Sequence, residues 1–164
     1  MQKNLRKPSL VSVALRCLAV REHSAHELAQ KLANQGMGAK ASKAEISKAD
    51  IFKVVAQLTE EGLQSDERYA AALIRSKLSR GYGPLHLQYQ LKSQHIDPAI
   101  YQPLLTGIDW PAHIQQVCRI KYGSKPARTV TETARRARFL AARGFPFELI
   151  RTVGLRMDGV DDGA

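Results

Sequence analysis

Aromatic residues make up only 6% of this 164-residue chain, and cysteine occurs only twice. With so few rings, a core must come from Ala, Leu, Ile and Val, and the 44% hydrophobic content predicts a folded chain over long disorder. Two cysteines far apart, Cys17 and Cys118, exclude a disulfide scaffold; each lies in an amphipathic pattern and reads as a buried free thiol in a reducing cytosol. No apolar run is long enough to span a membrane. Lys3, Arg6 and Lys7 ahead of Leu10 to Val20 have the outline of a secretion signal. Arg16 interrupts that run, however, and Leu10, Val13, Ala14, Cys17 and Leu18 fall on one helical face.

Motifs for catalysis are missing as well. Gly81-Tyr82-Gly83-Pro84 lacks the length and the lysine of a phosphate loop and reads as a tight helix-to-helix turn. His23 and His26 are three apart, yet no Cys or Asp nearby completes a metal set, so a capping segment is expected there. No Ser-His-Asp arrangement is recognisable from local motifs. Negative charge is scarce in one region above all. The chain holds 25 Lys and Arg against 15 Asp and Glu, a net +10, which favours polyanionic partners. Residues 111–157 carry ten bases and two acids, a net +8, whereas 1–64, 65–110 and 158–164 carry +4, +1 and −3. Ten bases with two acids repel one another unless an anion neutralises them, so this segment is expected to face a polyanion, whether DNA or acidic groups of a protein filament.

What the sequence has in quantity is helical periodicity, with no convincing strand alternation. Nine helices are predicted. The first runs from about Ser9 to Val20. The second is opened by the capping box Ser24-Ala25-His26-Glu27 and stopped at Gly36; the third is marked by Ile51, Phe52, Val55 and Leu58 and ends at Gly62. Ser65 caps the fourth, where Asp66 and Glu67 suit the helix dipole and Tyr69, Ala72 and Leu73 form the apolar face. Pro84 opens the fifth with Leu87 and Leu91, Asp97-Pro98 the sixth, and Asp109-Trp110-Pro111 the seventh with Ile114, Val117, Cys118 and Tyr122. After a loop at 124–130, Thr129 and Glu132 open the eighth, which carries Ala134, Ala137, Leu140 and Ala141. Pro146 starts the ninth.

The segments 31–36 (KLANQG), 90–95 (QLKSQH) and 139–144 (FLAARG) each place Leu four residues before a final Gly or His. The fold expected is therefore all-α: three tandem three-helix repeats forming an elongated, curved helical array. Its divisions are a tail over 1–8, repeats over 9–62 (with a flexible insertion at about 37–47), 63–107 and a strongly basic 108–157, and an acidic tail over 158–164.

In order along nearly the whole chain, REHSAHELAQKL (21–32), EEGLQSDERYAAALIRSKLSRGYGP (60–84), HIDPAIYQPLL (95–105), IKYG (120–123) and FLAARGF (139–145) resemble the RecX family, regulators of the recombinase RecA. The resemblance implies a cytoplasmic, non-enzymatic protein of tandem three-helix repeats. It would bind RecA filaments on DNA and limit strand exchange, ATP hydrolysis and co-protease activity, and so regulate DNA repair and the SOS response. A monomer without cofactor or metal, binding DNA weakly and non-specifically, is the accompanying expectation. The candidate RecA- or DNA-facing residues are Arg68, Arg75, Lys77 and Arg80 on and just past the fourth helix. Arg119, Lys121, Lys125, Arg128, Arg135, Arg136, Arg138 and Arg143 join them from the third repeat. After Gly-Pro the family usually continues with Arg, whereas Leu85, His86 and Leu87 follow here, which removes charge from the fifth helix. An autonomous DNA-binding protein of helix-turn-helix type is the alternative, motivated by the turn at 81–83.

Overall fold

The computed structural model describes residues 9–35 and 47–153. Among them every regular element is an α-helix: α1 (Leu10–Val20), α2 (Ala25–Gln35), α3 (Lys48–Glu60), α4 (Asp66–Ser79), α5 (Pro84–Ser93), α6 (Pro98–Thr106), α7 (Trp110–Tyr122), α8 (Val130–Ala142) and α9 (Phe147–Thr152). The strongest helix pairings all fall within successive triplets, α1–α3, α4–α6 and α7–α9. Each triplet closes on its own small core. Val13, Leu28, Leu32, Val55 and Leu58 fill the first, Tyr69, Ile74, Leu87, Leu91 and Tyr101 the second, and Ile114, Val117, Leu140, Phe145 and Ile150 the third. The protein is a helical repeat array. The expected tails and Gly36 lie outside the described residues, as does all of the expected insertion except Ser47, which is the N-cap of α3.

The helix ends follow from local chemistry. Ser9, Ser47, Ser65, Asp97, Asp109 and Thr129 each accept a backbone N–H of the helix they open, satisfying a donor that has no intrahelical partner. Both predicted capping boxes form only halfway. Ser24 Oγ accepts Glu27 N–H at 3.0 Å and Thr129 Oγ1 accepts Glu132 N–H at 3.1 Å. The two glutamates do not return to the cap residue: Glu27 pairs with Arg21 and Glu132 accepts Arg128 N–H at 2.8 Å. At Glu27 a charged donor outcompetes a neutral amide.

The repeated Leu-x-x-x-Gly/His segments have a common structural cause. Leu32, Leu91 and Leu140 are all fully buried. Four residues after the last two, His95 and Gly144 adopt left-handed backbone with φ of 58° and 87°. Glycine reaches that region without strain and histidine is among the residues enriched there, which is why the two substitute for one another at this helix end. Several side chains used to mark helices face outward. Phe52 is 74% exposed, one residue and so about 100° round from Ile51, and Ala134 and Ala141 are exposed while Phe139 joins the third core. On α4 the buried stripe is Tyr69, Ala70 and Ile74, with Ala72 and Leu73 at its edge.

Consecutive triplets meet turn to turn, and all five histidines of the chain stand at these joints. Where the first meets the second, Asp66 Oδ1 accepts Ala25 N–H at 2.8 Å and the rings of His26 and His95 lie 3.8 Å apart. His23 is buried there, its Nδ1 2.9 Å from Arg21 O and its Nε2 2.8 Å from Lys31 Nζ. With an ammonium donating to Nε2, the imidazole is neutral and its proton is on Nδ1. Where the second meets the third, Gly83 N–H donates to Arg143 O at 2.8 Å and Leu85 N–H to Gly144 O at 3.0 Å. His86 stacks on Tyr82 at 4.1 Å, and His113 Nε2 lies 3.2 Å from Tyr82 O.

A Cβ at Gly83 would sit 2.6 Å from Gly144 O, a backbone atom that cannot yield without parting the joint, whereas a Cβ at Gly107 meets nothing closer than 3.6 Å. Gly83→Ala is expected to cost about 1–3 kcal/mol in urea unfolding, and Gly107→Ala to leave stability unchanged or raise it by up to about 1 kcal/mol. The joints also respond to pH. Burial holds His23, His86 and His113 below the ordinary value of 6.5, helped at His86 by the charges of Lys77 and Arg143. These rings bind fewer protons folded than unfolded, so their contribution is complete above 6.5 and is lost as pH falls from there toward the lowered values. Glu27, held below 4.5 by the Arg21 guanidinium, adds a separate loss only at more acidic pH. Unfolding midpoints measured from about pH 8 to about pH 5 should be flat at the upper end and fall below about 6.5; a flat profile throughout would contradict this assignment.

Candidate functional site

The third triplet concentrates the cations. Arg119 and Lys121 project from α7, Lys125 and Arg128 from the connecting loop, and Arg135 and Arg138 from α8; all six are exposed. Of the two acids between 111 and 157, Glu132 is engaged with the backbone of Arg128, and Glu148 lies on α9. Among the described residues the ion pairs are Arg21–Glu27 and Arg68–Glu22, so none of the cations of this triplet is neutralised there.

Aromatic rings run between these charges. Arg136 lies 5.0 Å and Arg135 6.0 Å over Tyr122, whose ring meets Phe139 edge-on at 5.7 Å. Lys121 lies 5.8 Å and Arg143 5.1 Å over Phe139, and Arg143 lies another 5.1 Å over Tyr82, which also carries Lys77 at 5.2 Å. Each such contact is worth about 0.5–1 kcal/mol at an exposed site, and together they hold cations side by side that would otherwise repel. The chain of contacts brings Lys77 from the second triplet into register with Lys121, Arg135, Arg136 and Arg143 of the third. Sequence spacing gives no sign of it, since Tyr82, Tyr122 and Phe139 are distant in the chain.

Not every candidate cation is free for a partner. Arg68 bonds Glu22 at 2.7 Å and the carbonyl of Leu63 at 3.1 Å, tying α4 to the connection before α2. Arg143 donates to Arg80 O at 2.5 Å between the two rings above. Arg136 donates through Nη2 to Lys125 O at 3.0 Å, while its buried Nε has no partner among the described residues. All three are tied to the fold, Arg136 and Arg143 half-buried and Arg68 exposed. Arg75 and Arg80 are exposed on and just past α4.

The remaining features carry little chemistry. In the Gly81–Gly83 turn the amides are already used. Gly81 N–H goes to Leu78 O, Tyr82 N–H to Lys77 O and Gly83 N–H to Arg143 O, so the turn has no amide fan left for a phosphate. Cys17 packs on the first core and Cys118 on the third, both as free thiols, and burial pushes the Cys118 thiol above its ordinary range. Among the described residues no group of three or more His, Cys, Asp or Glu is placed to hold a metal, and no helix is long and apolar enough to cross a membrane. The depression beside α6 is lined by Ala99, Gln102, Pro103, Thr106 and Gly107, none of them titratable.

Comparison with known proteins agrees with this architecture. The sequence profile of the RecX second three-helix domain matches residues 65–102, and that of the third matches 111–153. The chain is 37% identical over 142 residues to a regulatory protein RecX of Acidithiobacillus ferrooxidans, covering 87% of this chain and 86% of the relative. To the corresponding protein of Halorhodospira halophila it is 32% identical over 151 residues, covering 91% and 88%. The crystal structure of RecX from Lactobacillus salivarius superposes with a TM-score of 0.69 at 18% identity, over 91% of this chain and 94% of that one, and so has the same fold. With a matching helical array, two matching three-helix domains and relatives this similar over most of their length, the chain belongs to the RecX family.

Proposed function

We propose that this protein is a cytoplasmic regulator of the RecA recombinase that has no active site of its own. It binds RecA and the RecA filament on DNA and mainly inhibits recombination, ATP hydrolysis and co-protease activity, thereby regulating DNA repair and the SOS response. The observation that carries the reading is the row of exposed, unneutralised cations on the third triplet of a protein whose relatives are named regulatory proteins. A nucleoprotein filament offers both phosphates and acidic side chains to such a surface. Acting as a monomer, the repeats would bridge neighbouring filament subunits, where several weak contacts sum to strong attachment, and hinder the motions that ATP turnover needs.

The autonomous helix-turn-helix reading has less support. A recognition helix presents its N-terminal residues to base edges. Here the start of α5 is docked on the third triplet through Leu85 N–H and Gly144 O, His86 is stacked on Tyr82, and Leu87 is in the core.

Stoichiometric amounts of the protein are expected to depress the DNA-dependent ATPase and strand exchange of RecA; unchanged rates would end this proposal. Arg135→Glu with Arg138→Glu changes two exposed cations that make no hydrogen bond to the rest of the chain among the described residues. The double variant should bind naked DNA more weakly, with the slope of log K against log salt reduced by about 2 if both residues meet phosphates. Lost RecA binding with an unchanged DNA slope would assign this surface to protein contact instead.

A further inference from the structure

The two joints are built from different materials. Between the second and third triplets, backbone donates to backbone, from Gly83 to Arg143 and from Leu85 to Gly144. The approach leaves no room for a Cβ at either glycine: at Gly83 it would lie 2.6 Å from Gly144 O, and at Gly144 2.6 Å from His86 N. Trp110 packs against both cores, its Nε1–H donating to Leu105 O at 3.1 Å, and Ile108 in the connecting segment packs on the second core. Opening this joint would expose apolar surface and strand paired backbone groups.

Between the first and second triplets the contacts are made by side chains: hydrogen bonds, one ion pair and the adjoining rings of His26 and His95. Asp66 accepts from Ala25 N–H, Gln64 Nε2 donates to Asp66 at 2.9 Å and to His23 O at 3.2 Å, Ser24 Oγ donates to Gln94 Oε1 at 3.1 Å, and Arg68 pairs with Glu22. Among the described residues no hydrophobic side chain is shared by the first and second cores. The connection is open too: Glu61, Gly62 and Leu63 are all exposed, and the space around Gly62, where φ is +71°, is empty to 4 Å.

From this contrast we infer that Gly62 is a hinge. Gln64, Asp66 and Arg68 form a latch that holds the first triplet closed on the second, while the second and third move as one body. Interfaces without a large hydrophobic contact permit relative motion of the parts they join, whereas shared apolar cores oppose it. Opening the latch exchanges its hydrogen bonds for bonds to water, and salt screens the Arg68–Glu22 pair. A swinging first triplet can close over a partner that the other two already hold. The inference rests on the joints alone and does not depend on what that partner is.

Distance measurements between paired spin labels test it on the full chain carrying Cys17→Ala and Cys118→Ala. Labels at exposed sites Gln57→Cys and Ser93→Cys span the first joint; Ser93→Cys and Gln115→Cys span the second. The distance distribution across the first joint should be at least about twice as wide as across the second. It should broaden further with added salt and with Asp66→Ala, the second distribution staying unchanged. Equal widths would overturn the hinge. So would an unaltered first distribution in Asp66→Ala when circular dichroism shows the helices intact. Should Asp66→Ala fail to fold, Arg68→Ala, with an exposed side chain, gives the same reading.

Discussion

Backbone lies directly against backbone where the turn after α4 meets the turn after α8, and the placement of the last six helices depends on the missing Cβ atoms of Gly83 and Gly144. Units of three short helices bury few side chains each, so a unit of this size gains stability by pressing against the next. Side chains would hold two turns apart; glycine lets the amides of one reach the carbonyls of the other. Once the turns are in contact, Trp110 can belong to two cores, and burial at the joint disfavours the charged forms of His86 and His113. The same contact orders the charge. Arg143 is drawn between Tyr82 and Phe139, and that places Lys77 of one triplet beside the cations of the next.

The distribution of charge explains how so basic a surface is tolerated. Cations on α7 and α8 have few carboxylates to meet, and three aromatic rings take their place. A ring face attracts a cation without cancelling its charge, so the field outside the protein is preserved while the side chains are held in position. Carboxylates would have given order at the cost of that field. Arg68, at the other joint, shows the opposite solution: it meets Glu22 and serves the fold. Positive charge in this protein thus divides into a part that builds joints and a part that stays exposed, and the two parts are adjacent in sequence at Arg135 and Arg136.

Much of the architecture can be read from local patterns because its causes are local. Caps such as Ser65 and Asp97 act on amides two or three residues away, prolines at the start of α5 and α6 act on their own backbone, and the buried leucines recur at helical spacing before a residue able to turn left-handed. Burial itself was less legible. Phe52 is apolar and exposed, while Ala70 and Phe139 take core positions, since one step along a helix turns a side chain by about 100° and the facing helix decides which angle is covered. The halves of the capping boxes that did not form are of the same kind: Glu27 found Arg21, a partner outside the motif.

By itself the sequence determined the all-helical class, the grouping into three, the family and the basic third unit. The family follows from a resemblance along nearly the whole chain, and the other three depend on composition, periodicity or the chemistry of residues a few positions apart. Only the tertiary structure decided which arginines are joined to the fold among the described residues. The partners of Arg68, Arg136 and Arg143 come from 5 to 63 positions away, and nothing in the spacing names them. It also decided that one joint is made of backbone and a shared tryptophan, and the other of polar side chains, among them the buried His23, Ser24 and Gln64. The contrast arises because Gly83 and Gly144 are brought within contact distance by the packing of whole triplets, a placement that no local rule contains.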